Sequence, residues 1–473
     1  MTRAGDLWYN MDMIETIWAL MPIAVLVAML MALRAPAWLA ALAALLTGAA
    51  EAYWRYATGL GDLARCSLEG AATGLYPIGL VIVAALFTYA ITVESGAVNE
   101  IKSGLARLSP DKRFFALLTV WGFGNFMEGM AGFGTAVAIP CAILVGVGFD
   151  PVKAVLCALV ANTTPTAFGS VGVPTMMLAK VTGLETMRLT ATIATAQLAV
   201  TALSPFLILY IVDGFKGVRE CYKLALLADV AFLVPWLVTA LFLGCELPNV
   251  MGGIVVMATL ALKGDWRSLD ARKQAQAWLP FALVVAALGL SAALVPARFK
   301  PSPGVLILLA AIPGGLLQRV SLLRLLKLLL TTIKKYSLAL LTICLVLALA
   351  KIMGKSGMTG QLADALIAAT GRGYAFFATA VGSLGGFVTG SGTSSNVLFG
   401  SLQASVGSTE AQQYLFAAAN VMGAGIGKMI CPQSIVLGCA ATGLAGRESE
   451  IMRKALGYFL AVLLLACITI AAM

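Results

Sequence analysis

Histidine is missing from all 473 residues, and charged residues make up only 11% of them. The first absence removes imidazole from any proton relay, catalytic base or metal site, so proton chemistry would fall chiefly on carboxylates. The second excludes a soluble globular domain, which carries roughly a quarter of its residues charged. Nine cysteines occur singly, mostly inside apolar segments, with neither metal-ligand spacing nor the pattern of a disulfide framework. No metal and no cofactor is expected. Nor is there a polar stretch long enough to fold as a soluble domain between the apolar runs, which excludes an enzyme carried on one.

What the chain has in abundance is hydrocarbon: 60% of its residues are hydrophobic and the mean hydropathy is +0.94. About a dozen runs approach the ~20 residues with which a helix crosses a bilayer. The expectation is an all-α polytopic membrane protein with about 12 crossings: Ile14–Met31, Pro36–Ala50, Pro77–Val93, Asp150–Lys180, Arg188–Val212, Tyr222–Gly244, Pro248–Leu262, Trp278–Val295, Pro303–Leu317, Ser337–Met353, Gln412–Ala445 and Ala455–Met473. The first lacks a basic flank and a small-residue cleavage site, and reads as a span rather than a signal peptide. A net charge of +10 would suit nucleic acid, but the basic residues lie in short loops between spans. With the N-terminus outside, roughly two thirds of them fall on inside-facing connections, the bias that orients membrane proteins. The bilayer, not nucleic acid, is the expected partner.

Comparing the chain with itself uncovers a repeat. At an offset of 261, Ser95, Gly96, Leu105, Phe115, Gly124, Phe126 and Gly129 match Ser356, Gly357, Leu366, Phe376, Gly385, Phe387 and Gly390. At an offset of 258, Ala161, Asn162, Gly169 and Pro174 match Ala419, Asn420, Gly427 and Pro432. Each unit reads as a span, a polar interfacial stretch (Ala97–Pro110; Met358–Thr370), an apolar segment interrupted by glycines and polar residues, a long broken span and a further span. If each interrupted segment is a re-entrant hairpin, seven crossings separate the two units, and they face opposite ways. The division expected is 1–94 and 213–357 as scaffold, 95–212 and 358–473 as the transporting parts. Inverted repeats with discontinuous helices point to a secondary transporter whose substrate sits at the interruptions, because unpaired backbone at membrane depth survives only where protein or a cavity satisfies it.

The first interruption, 125–135, holds Glu128, Gly129, Gly132, Gly134 and Thr135; the second holds Thr389, Gly390, Ser391, Gly392, Thr393, Ser394, Ser395 and Asn396. The broken spans add Asn162 and Thr163, and Asn420 before a stretch, Val421 to Gly425, read as unwound. Glycine permits sharp turns and close backbone approach, and a half-helix starting at each tip offers free N–H groups to an anion. The bland alternative for any one glycine is close helix packing. Glu128 is a carboxylate deep in an apolar segment, which marks either an ion or proton path or a brace paired with Lys428. Lys428 itself could attract a substrate carboxylate, pair with Glu128, or snorkel to the interface. Asp229 and Glu246 read as interfacial.

The stretches 128–139, 161–169, 387–400 and 427–434 resemble the bacterial L-lactate permease family, a branch of the ion-transporter superfamily, with a weaker likeness from about Pro77 to the C-terminus. The resemblance implies inverted repeats with re-entrant hairpins, an elevator motion, commonly a homodimer, and proton-coupled uptake of L-lactate, D-lactate and glycolate across the bacterial inner membrane. Carried onto this chain, the tip amides with Thr135, Ser394 and Ser395 bind the carboxylate, Asn162 and Asn420 orient the hydroxyl, and Glu128 carries the proton. The chain departs from the family pattern at Gly392, commonly Asp, and at Ala136, commonly Pro. Sodium-driven transport of another small organic anion is the nearest alternative, with carbonyls and the two Asn residues as ion ligands. A channel would need a continuous pore, against which paired re-entrant tips argue. An intramembrane enzyme would need a convergent catalytic set, which the tips lack.

Overall fold

The computed structural model describes residues 2–33, 35–108, 111–132, 134–295, 299 and 301–473. Every regular element among them is a helix. Among the described residues seven helices are long and apolar enough to cross a membrane, or eight if the bent pair Pro151–Ala161 and Pro165–Thr182 counts as one span. Three expected crossings are shorter apolar helices, Glu15–Leu30, Pro248–Lys263 and Pro303–Leu317. Helix length alone therefore gives fewer crossings than the twelve expected. The 57-residue run Thr186–Phe242 breaks at Asp213, Gly214 and Cys221, so it contains the two crossings expected there.

Two helices of 35 residues, Leu60–Glu94 and Leu322–Ser356, extend well past the expected Pro77–Val93 and Ser337–Met353. At about 1.5 Å per residue each is about 52 Å long, and the added turns carry Asp62, Arg65, Glu69, Arg324 and Lys327 beyond what the ~30 Å hydrocarbon layer holds. The first is kinked at Tyr76, whose backbone is extended (φ −138°, ψ 129°). The pair runs antiparallel. Gly70 seats on the backbone of Ala348 and Gly74 on that of Cys344, while Arg324 binds Glu94 at 2.7 Å and Lys351 lies 3.8 Å from Glu69. Each long helix hands over through a left-handed glycine, Gly96 (φ 77°) or Gly357 (φ 91°), to a short helix, Ala97–Arg107 or Met358–Thr370. They cover the two stretches expected to lie along the interface, of which Ser109 and Pro110 lie outside the described residues.

Both interrupted segments are hairpins. In the first, limbs 112–130 and Thr135–Gly146 bring their open ends together, where Lys112 Nζ donates to the Gly148 carbonyl at 2.9 Å. In the second, Tyr374–Thr389 and Gly392–Val406 are closed by Tyr374 Oη donating to Gln403 Oε1 at 2.6 Å and Gln403 Nε2 donating to the Ala378 carbonyl at 2.7 Å. Arg113 fastens the base of the first hairpin to the 213–221 connection through Asp213 and Glu220. Burial opposes ionisation of the neighbouring Asp111, yet hydrogen bonds from the Arg113 side chain and amide outweigh it and hold that carboxyl below its usual range.

Two expectations are corrected here. The stretch after Asn420 is not unwound: the helix Glu410–Gly427 continues, and the break comes at 428–431 before Pro432–Thr442. Gly423 and Gly427 instead seat against the second hairpin, where a Cβ would fall on the carbonyl oxygens of Thr379 and Ser383, while Gly382 and Gly386 meet Asn420 and Ala424 from the other side. Small residues at four-residue spacing allow this backbone-to-backbone packing. Asp229 is not interfacial either. It is buried on the 222–242 helix, with Oδ1 unpartnered.

Candidate functional site

A cavity of about 180 Å³ opens where the second hairpin tip, both helix breaks and the middle of the Leu322–Ser356 helix meet. It is smaller than the ~300–1,000 Å³ of drug-sized sites, which scales it to a metabolite of a few heavy atoms. Of the residues expected from sequence, Glu128, Gly134, Asn162, Thr389, Gly390, Ser391, Thr393, Ser394 and Lys428 line it. The one remaining wall is Ala37, Ala339, Thr342 and Ile343, from helices outside the hairpins and breaks.

The tip of the second hairpin presents backbone amides to the cavity. Gly390 (φ 65°) turns the chain, and Ser391 caps the following helix by accepting from the Ser394 amide at 3.2 Å. The first-turn amides of Gly392 and Thr393 have no intrahelical acceptor, and both residues line the cavity. A second helix start adds to this one, since Gln433 and Ser434 in the first turn of Pro432–Thr442 also line it. Gly134 and Pro174 bring the starts of two more half-helices to the wall. Positive helix ends converging from four directions favour negative charge in the space between them.

The first break is held by a network that satisfies its carbonyls. Asn249 Nδ2 donates to the Pro165 carbonyl at 2.6 Å while its Oδ1 accepts from Trp236 Nε1 at 3.1 Å, Thr166 Oγ1 donates to the Asn162 carbonyl at 2.8 Å, and Thr175 Oγ1 to that of Ala167 at 2.8 Å. Behind it Ser170 (φ 45°), Val171 (φ 56°) and Gly172 (φ 77°) are consecutive left-handed residues. For a β-branched valine that conformation costs on the order of 1–2 kcal/mol. It persists because the surroundings fix it: Ser170 Oγ donates to the Ala131 carbonyl at 3.0 Å, tying the break to the first hairpin tip.

Among the described residues, the only full charges on the cavity wall are opposite and paired. Lys428 Nζ donates to Glu128 Oε1 at 3.0 Å, with the two side chains 10% and 5% exposed. Glu128 Oε2 is buried with no partner, as is Asn162 Oδ1. Glu128 packs over Gly169, where an added Cβ would lie 3.1 Å from Oε1.

Seven expected residues lie off the cavity lining. Gly129 packs on Asn249 and Val250, and Gly132 (φ 61°) on Ser170. Thr135 Oγ1 donates to the Gly132 carbonyl at 2.8 Å, and Thr163 Oγ1 to that of Val160 at 2.8 Å, so both hydroxyls serve local turns. Ser395 Oγ donates to the Gly382 carbonyl between the hairpin limbs. Asn396 Nδ2 donates to the Pro174 carbonyl at 2.9 Å, and its Oδ1 accepts from Asn420 Nδ2 at 2.9 Å. Asn420 Oδ1 accepts in turn from Gln403, so the amide is spent inside the protein. The repeat mates Asn162 and Asn420 thus differ, since the former alone lines the cavity. Sequence reading missed Thr166, Gly169, Ser170, Pro174, Gln433 and Ser434, which sit within or beside the motif stretches, and Thr342 and Ile343, which carry no signal in an apolar helix.

This separation gives a first prediction. Gly390→Ala strains a left-handed turn and drives a methyl group toward Gln433 and Cys431. It should weaken substrate binding about tenfold, the equivalent of ~1.4 kcal/mol, in the range of a strained backbone position. Gly129→Ala presses on Val250 and Asn249 and should lower the thermal midpoint with affinity preserved. Equilibrium binding and thermal unfolding of the purified variants separate the two, and loss of affinity in Gly129→Ala would contradict this assignment.

Comparison with known proteins agrees with the motif resemblance and extends it N-terminally beyond Pro77. The family model described as L-lactate permease matches residues 15–301 and 291–473. An L-lactate permease of Bacillus subtilis (strain 168) is 33% identical over 85% of this chain and 85% of its own. An L-lactate permease of Streptococcus iniae is 36% identical over 71% of this chain and 79% of its own. A glycolate permease of Escherichia coli (strain K12) is 35% identical over 80% of this chain and 81% of its own.

Proposed function

The chain belongs to the L-lactate permease family, and from that premise we propose that it is a secondary active transporter for small 2-hydroxymonocarboxylates, L-lactate and glycolate among them, coupled to protons. The observation that carries this is the small cavity ringed by helix starts, with one buried cation and one buried carboxylate on its wall. Lys428 and Glu128 cancel, so an incoming monocarboxylate would leave an uncompensated negative charge away from water, which costs several kcal/mol. A proton on Glu128 removes that cost. It releases Lys428 Nζ to the substrate carboxylate, and the loaded site is neutral again at one proton per anion.

In this reading the amides of Gly392 and Thr393 and the hydroxyl of Ser394 bind the carboxylate. Asn162 Oδ1, without a protein partner, accepts the substrate hydroxyl. Gly134, Thr389, Gly390, Ser391 and Thr393 shape the turn around it, while Gly129, Gly132, Thr135, Thr163, Ser395, Asn396 and Asn420 hold the tips and breaks in place. The antiparallel course of Leu60–Glu94 and Leu322–Ser356, first members of the two repeat units, supports inverted topology. Elevator movement fits a cavity with one wall on the long helix and the others on hairpins and breaks. A homodimer in the bacterial inner membrane completes the proposal.

Sodium coupling keeps one observation in its favour, the free Asn162 Oδ1 beside the carbonyls of the first break. Uptake of labelled lactate into proteoliposomes under separate proton and sodium gradients decides between them. Accumulation driven by an inward proton gradient, inhibited by short carboxylates in proportion to their likeness to lactate and glycolate, is expected. Stimulation by sodium alone would overturn proton coupling.

A further inference from the structure

The molecule has a second, larger cavity, about 610 Å³, between the end of the Leu322–Ser356 helix and the end of the Gly392–Val406 limb of the second hairpin. Lys180, Lys351 and Lys355 line it, with Glu69 the single carboxylate on its wall. Lys351 reaches Glu69 at 3.8 Å and Lys355 reaches Asp62 at 4.0 Å, both loose and solvent-exposed, and Lys180 forms no ion pair among the described residues. The cavity therefore keeps a positive balance.

Its position gives that charge a use. Three helices line both cavities: Thr342 and Lys351 lie on one, Ser394 and Ser401 on the second, Pro174 and Lys180 on the third. At about 1.5 Å per residue these pairs are about 9 to 14 Å apart along their axes, so the two cavities stack on one line. Between them Gly400 rests on the buried Leu178, closing the line in this conformation. With the N-terminus outside, this cavity opens on the outer face, where basic residues are ordinarily sparse.

We infer that the lysine-lined cavity is an outer vestibule that gathers small carboxylate anions for the central site; this rests on the carboxylate reading above. A cleft of one charge sign between low-dielectric walls concentrates counter-ions and speeds their capture by about 10- to 1,000-fold, an effect that fades with ionic strength. Lys180 sits on the helix that leaves the first break, and Lys351 and Lys355 on the long helix, so the field spans both walls of the gap through which an anion would pass.

The test is initial uptake of L-lactate by the full chain in proteoliposomes, at low and high ionic strength. The triple variant Lys180→Gln, Lys351→Gln, Lys355→Gln should raise the apparent KM about tenfold at low ionic strength, the low end of such steering, with Vmax preserved and the salt dependence gone. A triple Lys→Arg variant keeps the charge and should keep wild-type KM, which separates loss of field from loss of fold. An unchanged KM and salt dependence in the Gln variant, beside a wild type that transports lactate, would overturn the vestibule alone. So would a KM effect confined to vesicles of anionic lipid, since the lysines would then serve a lipid headgroup. A wild type that carries no short carboxylate would sink the function and the vestibule together.

Discussion

Glu128→Gln is expected to abolish concentrative uptake while leaving exchange within about threefold of wild type. At one proton per anion, each pH unit of inward gradient supports about tenfold accumulation, about 1.4 kcal/mol. The amide mimics the protonated acid: it frees Lys428 for the substrate at every pH but has no proton to release, so internal and external concentrations should equalise. Wild-type uptake should rise as the outside is acidified, and that of the variant should stay flat. Gradient-driven accumulation and exchange of preloaded substrate, measured on the same vesicles, provide the check. If both fall equally, Glu128 is a brace between the first hairpin and the second break, and the coupling scheme is wrong.

Lys428→Met has the larger structural effect. It leaves Glu128 inside the protein without the cation now 3.0 Å away. Breaking a buried pair by removing one partner destabilises by about 3–5 kcal/mol, so the folded yield and thermal midpoint should fall sharply, and binding of lactate should be lost with accumulation and exchange alike. Combining it with Glu128→Gln removes both charges, which is often close to neutral for stability. The double variant should regain the folded yield but not affinity. Recovery of wild-type affinity in either background would remove Lys428 from the substrate site.

How much of this was legible in the sequence depends on what each residue does. Interruptions are easy to see because glycines and hydroxyls stand out against hydrocarbon, and both hairpins and the first break lie where that contrast places them. The second break falls about seven residues beyond the stretch expected, because glycine has two uses in membranes. Gly423 looks like unwinding and is in fact, with Gly427, a contact point for a neighbouring backbone. The same ambiguity put Gly129 and Asn420 on the ligand rather than in the packing around it. Glu128 and Lys428 were visible as costly charges, and their pairing across 300 residues was one of the alternatives the sequence left open. The Thr342 and Ile343 wall was invisible, since an apolar helix carries no mark of which face another body will meet.

The packing of Gly382 and Gly386 against Gly423 and Gly427 also dictates how a ligand gets in. Where two peptide backbones touch there is no rotamer to flip and no side chain to slide, so the second hairpin cannot lift from its neighbouring helix as a lid does. In the transport cycle proposed above, the berth and its cover therefore move as a single piece. In that cycle the contacts left to part are those made by side chains, Gly400 on Leu178 toward the lysine-lined cavity and the wall of Ala37, Thr342 and Ile343.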